Sequence, residues 1–246
     1  MFRKELPRVY ELRDLIEDPT APGAYFQGFD NLVRDHPDVK QYWLAREEAL
    51  RALDQVSWDF LKNEVRPYLI CRDPERGWHQ LFAILNQAYA YNYLNRIGCS
   101  NVRFIPPATQ KRAETPDLEA ELNSLPVLCE VKTINISDDE AVSRVGFKVR
   151  VTTGRLESGF FNKLASDLIK AKHQLDTYIA TRDATRIVYL VPNFDDLVGD
   201  CKQQHFNQID HYLAENPVPG IEVVFHNQKT PIHKSITMTA AEVVNE

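Results

Sequence analysis

Two short stretches of this chain, Asp117-Leu118-Glu119-Ala120-Glu121-Leu122 and Val127-Leu128-Cys129-Glu130-Val131-Lys132, read as the arms of one β-hairpin. If Asn123-Ser124-Leu125-Pro126 forms a four-residue turn, Leu122 pairs with Val127, Asp117 lies opposite Lys132, and Glu119 lies opposite Glu130. Strand alternation then places Asp117, Glu119, Glu121, Glu130 and Lys132 on one face. Leu118, Ala120, Leu122, Val127, Cys129 and Val131 fall on the other, which has the character of a core face. A sheet face crowded with carboxylates is costly unless something neutralises it, and a lysine plus a divalent cation would do so. In that register Asp117 and Glu130 are diagonal neighbours, with Cα atoms about 7–8 Å apart. Both could reach one Mg²⁺, whose bonds to oxygen are about 2.0–2.1 Å long. A salt-bridged ladder on an exposed sheet face would use the same residue types without chemistry.

The remaining pattern embeds this hairpin in a larger fold. Pro7 to Glu17, Ala24 to His36, Val39 to Gln55 and Trp58 to Ile70 carry apolar residues at helical spacing, with breaks at Asp18-Pro19 and His36-Pro37 and Ser57 as an N-cap. Trp78 to Ile97 predicts a long helix stopped by Gly98. Val102 to Ile105 is a short β-prone run, Val145 to Thr153 a basic one, and Phe160 to Thr181 a helix. Arg186 to Val191 and Ile221 to Phe225 are apolar runs of buried-strand type, with a helix from Gln203 to Glu215 between them. The order predicts an α/β chain with a mixed central sheet flanked by helices and an N-terminal helical region. The expected division is an accessory helical region over 1–70 and a core over 71–246.

Composition narrows the classes of function. No apolar run approaches the length of a membrane span, and the first residues lack the pattern of a signal peptide, so a cytoplasmic protein without a membrane partner is expected. The four cysteines, at 71, 99, 129 and 201, are too scattered for a zinc ribbon or a disulfide framework and read as small buried side chains. The net charge of -6 hides an asymmetry. Between Ala141 and Lys172, seven basic residues (Arg144, Lys148, Arg150, Arg155, Lys163, Lys170 and Lys172) face two acidic ones, Glu157 and Asp167. Such a strip can be a footprint for phosphate or an ordinary solvated face. The motifs G-x-S-x-G, H-E-x-x-H, G-x-x-x-x-G-K-[ST] and G-x-G-x-x-G are absent.

Pro116-Asp117 followed thirteen residues on by Glu130-Val131-Lys132 resembles the motif of the PD-(D/E)XK nuclease superfamily. Gln174-Leu175-Asp176-Thr177-Tyr178, on the helix after the hairpin, resembles the Q-x-x-x-Y signature of its RecB-like branch, and His79 matches a histidine that branch often carries before the core. Glu64, Glu75 or Gln80 could take the place of His79. The resemblance covers roughly residues 72–225. It implies a restriction-endonuclease-like core and a Mg²⁺- or Mn²⁺-dependent hydrolase acting on DNA phosphodiester bonds. It further implies Asp117 and Glu130 as metal ligands with His79 as a third, Lys132 beside the attacking water, and Gln174 and Tyr178 supporting the site and the nucleic-acid backbone. The seven basic residues would then track phosphates toward the metal.

The alternative is a catalytically silent nucleic-acid-binding or scaffolding protein on the same fold. A third reading puts function on the N-terminal helices, where Tyr25, Phe26, Phe29, Tyr42 and Trp43 would dock a partner or a second copy of the chain; helix packing is the more economical use of such residues.

Overall fold

The computed structural model of the chain describes residues 2–74, 77–107, 115–134, 155–178, 183–192, 202–226 and 232–234. Two compact units divide it, Met1–Phe104 and Ile105–Glu246. This boundary lies beyond the one expected at residue 70, because the long helix after that point packs on the helices before it. Among the described residues no helix is long and apolar enough to cross a membrane.

The first unit contains α1 (Pro7–Arg13), α2 (Phe29–Asp35), α3 (Pro37–Arg51), α4 (Gln55–Val65), a 3₁₀ turn (Arg66–Leu69), α5 (His79–Arg96) and β1 (Ser100–Phe104). Proline opens α1 and α3, where its missing N–H would have had no partner in the helix. The cap of α4 is Asp54 rather than Ser57: the Asp54 carboxylate accepts the Ser57 amide at 2.7 Å. The start of α1 is satisfied from outside the helix. Glu47, buried on α3, accepts the Arg8 and Val9 amides at 3.1 and 3.0 Å, and Arg51 Nε donates to the same carboxylate at 2.9 Å. The N-terminal aromatics pack among themselves. Phe29 meets Trp43 edge-on at 5.4 Å, and Tyr25 meets Phe82 and Trp78 at 5.6 and 5.1 Å. Phe26, Phe29 and Trp43 are buried in the core of this unit, while Tyr25 and Tyr42 are half-buried.

The second unit is α/β. Its strands β2 (Leu118–Leu122), β3 (Leu125–Ile134), β4 (Thr185–Pro192), β5 (Glu222–Phe225) and β6 (Ile232–Lys234) lie in that order in a mixed sheet. The outer pairs β2/β3 and β5/β6 are antiparallel, and β3/β4 and β4/β5 are parallel. The parallel pairs need crossovers, which α6 (Ser158–Tyr178) and α7 (Lys202–Glu215) provide. Leu164, Leu168, Ala171 and Leu175 of α6 and Ile209 and Leu213 of α7 pack in one cluster with Leu128, Ile134, Val188, Leu190, Val223 and Phe225. Strand β6 had no counterpart in the sequence reading, and the basic run Val145 to Thr153 lies outside the described residues. Cys99 and Cys129 are buried as expected, Cys71 is exposed, and Cys201 is outside the described residues.

The hairpin corrects the expected register. Leu122 pairs with Leu125, so the turn has two residues, Asn123 and Ser124, with φ of 52° and 67°. Both sit in the left-handed region that a type I′ hairpin turn requires. The division of residues between the two faces survives, but the cross-strand partners change. A second difference is coverage. The face bearing Glu130 also bears Leu128 and Ile134, and it is the face that α6 and α7 cover. Every residue from Val127 to Val131 is buried, so β3 is an interior strand on both faces rather than one half of a charged exposed ladder.

Candidate active site

Leu118 pairs with Cys129, and one further step along the register sets Asp117 across from Glu130, direct rather than diagonal. Directly opposed residues on antiparallel strands have Cα atoms about 4.5–5.5 Å apart, closer than the sequence register implied. Asp117 is the last residue before β2 begins, and β3 runs on past it to Ile134. The ladder therefore ends while β3 still presents an amide on that side. Asp117 fills the gap: its Oδ2 accepts the Val131 amide at 2.7 Å, and its own carbonyl accepts the Ile105 amide at 2.9 Å.

Glu130 is the most enclosed acid of the site, at 3% exposure. Lys132 Nζ donates to its Oε1 at 2.6 Å, with the lysine side chain 23% exposed. Among the described residues Glu130 Oε2 has no hydrogen-bond partner. An oxygen buried without a donor is costly, and a cation bound to the ionised carboxylate at this atom would offset that cost.

The protonation states follow from this enclosure. Burial pushes the Asp117 carboxyl up to about 6, against the opposing pull of the Val131 amide and the Lys132 charge. Burial, followed by the proximity of Asp117, pushes Glu130 up to about 8, with Lys132 pulling the other way. The two acids titrate as a pair, as carboxylates sharing a site do. Desolvation works against the Lys132 ammonium, but Glu130 and then Asp117 and Asp167 outweigh it and raise its pKa, so the lysine is a cation throughout the neutral range.

Helix α6 frames the site from above the sheet. Gln174 Nε2 donates to the Thr115 carbonyl, which lies two residues before Asp117, and so holds the segment that presents that acid. Tyr178 ends the helix at 38% exposure, on the same flank as Gln174 by helical spacing. Asp167 lies on that flank too and forms an ion pair with Lys163 at 3.2 Å. In the sequence, Asp167 stands only as one of two acids in a basic strip. Its spacing of seven from Gln174 was the available signal.

His79 is the first residue of α5, in the first unit. Lys170 is exposed on α6, Lys172 hydrogen-bonds Asp176, and Arg155 is exposed ahead of the helix. Arg144, Lys148 and Arg150 lie outside the described residues, as does Glu75. Among the described residues no cluster of three or more His, Cys, Asp or Glu side chains could hold a metal, so the protein's own contribution here is the pair Asp117 and Glu130. The chain matches no protein-family model, no curated protein and no solved structure.

Proposed function

We propose that the second unit is a restriction-endonuclease-like nuclease core of the PD-(D/E)XK kind, hydrolysing DNA phosphodiester bonds with Mg²⁺ or Mn²⁺. The observation that carries this reading is the facing pair Asp117 and Glu130, with Lys132 on one Glu130 oxygen and the other oxygen buried without a partner among the described residues. The donor set fits a hard cation: two carboxylates supply oxygen, and Mg²⁺ characteristically binds through one or two carboxylates with water and substrate phosphate completing its shell. When bound, such a cation lowers the pKa of a water and offsets charge on the phosphoryl group.

The chain's own residues do the rest. Asp117 and Glu130 would hold the cation. Lys132, which remains protonated, serves as a donor rather than a base; it would orient the water or neutralise charge developing on a non-bridging oxygen. Gln174 fixes the backbone from which Asp117 projects, which keeps the two acids opposed. Lys163, Lys170 and Arg155, with Arg144, Lys148 and Arg150, would supply backbone contacts that carry no sequence preference.

The test is cleavage of plasmid and linear DNA by the full chain with Mg²⁺ or Mn²⁺, beside Lys132→Ala. Metal-dependent cutting that the variant loses supports the nuclease. Absence of cutting on DNA and RNA, together with thermal stability indifferent to Mn²⁺, would favour the silent-scaffold alternative.

A further inference from the structure

Lys132 and a bound cation compete for the same carboxylate. The ammonium sits 2.6 Å from Glu130 Oε1, and a divalent ion on Glu130 would repel it at close range. The lysine side chain is largely enclosed, so on leaving Glu130 it needs another acceptor.

The geometry of α6 places one there. Arg186 Nε pairs with Asp176 at 3.0 Å, and Arg186 is the register partner of Leu128, so Asp176 lies level with Leu128. Lys132 is four residues farther along β3, a distance of about 13 Å at strand rise. Helix α6 runs back between parallel strands, and at 1.5 Å per residue that distance is about nine residues before Asp176, which is Asp167. Nine residues also turn the helix through about 180°, so Asp176 faces β4 while Asp167 faces the hairpin, on the flank where Gln174 reaches Thr115. The side chain of Asp167 is 15% exposed, and its charge acts on Lys132.

We infer that Asp167 is a positioning residue, the carboxylate to which Lys132 swings when Glu130 takes up a cation. The inference rests on the metal site proposed above and extends it. Without a cation, Lys132 occupies Glu130 and Asp167 is paired with Lys163 at 3.2 Å. With one, Lys132 moves to Asp167, which frees both Glu130 oxygens and holds the ammonium beside the reacting water.

The test is Mn²⁺ affinity of the full chain, measured by titration calorimetry without substrate. Asp167→Asn should weaken Mn²⁺ binding by about tenfold or more, and Asp167→Glu should restore most of it. In a Lys132→Met background, where no ammonium has to be rehoused, Asp167→Asn should change the affinity less than about twofold. Wild-type affinity in Asp167→Asn would overturn the inference while leaving the metal site intact. A loss that persists in the Lys132→Met background would also overturn it, since Asp167 would then act on the metal or the fold directly. No Mn²⁺ binding by the wild type would overturn the metal site and this inference with it.

Discussion

Asp117 and Glu130 face one another across the end of the β2/β3 ladder, one holding the Val131 amide and the other holding Lys132. Four measurable consequences follow from this arrangement and the turn that sets it.

The acid pair makes stability fall with pH. Burial holds Asp117 at about 6 and Glu130 at about 8 in the folded chain, whereas unfolded carboxyls titrate near about 4. The folded state binds these protons more tightly. The contribution is fully present below about pH 4 and is lost as the pH rises through about 6 to 8. Other groups titrate over the same range, so the measurement is a difference: urea unfolding of wild type and Glu130→Gln at several pH values. The wild type should lose stability faster than the variant toward pH 8, and parallel curves would contradict the assignment.

The same protons oppose a cation. Carboxylate ligands must be deprotonated to bind, so Mn²⁺ affinity should climb steeply between about pH 5.5 and 8.5 and metal uptake should release protons. Calorimetry in buffers of different ionisation enthalpy reads the released protons directly. Affinity independent of pH across that window would place the ion elsewhere.

Gln174→Ala removes the donor to the Thr115 carbonyl. Loss of one hydrogen bond costs about 0.5–1.5 kcal/mol, so the fold should persist with a slightly lower Tm. Displacement of Asp117 should fall mainly on kcat for DNA cleavage, with KM little changed. A variant with wild-type kcat would remove Gln174 from the site's support.

Ser124→Gly tests the turn. Serine at a φ of 67° has a conformation that glycine adopts freely. Relief of left-handed strain, about 1–2 kcal/mol, outweighs the extra unfolded-chain entropy of glycine, about 0.4–1 kcal/mol, so the substitution should stabilise the chain slightly and leave cleavage and Mn²⁺ affinity unchanged. Destabilisation in thermal unfolding would argue against the two-residue turn.

The elements that could be read from sequence were those with strong local signals. The run Arg186 to Val191 and the helix ending at Gly98 appear where their patterns put them, because an apolar run and a left-handed glycine each have few structural uses. The face shared by Asp117, Glu130 and Lys132 was legible as well, since alternation is indifferent to the exact turn. The partners across the hairpin were not. A four-residue and a two-residue turn share the same division of faces, and Asn123-Ser124 lacks the glycine that marks a type I′ turn most clearly. Cover by α6 was illegible for a different reason: Leu128 and Ile134 belong to the charged face by parity, and only the packed helix shows that this face is interior. Asp167 went unread because its relation to Lys132 depends on where a helix is laid over a strand, which no local pattern encodes.

The hydrogen bond from the Val131 amide to Asp117 gives one atom two occupations, because the oxygen that belongs to the acid pair also splices the end of the sheet. Substitutions at 117 are therefore unequal. Asparagine keeps a carbonyl oxygen for the Val131 amide while removing the charge and turning the second oxygen into an NH₂ donor, whereas alanine also leaves a sheet amide without its partner. Asp117→Asn is the substitution from which chemistry can be read cleanly.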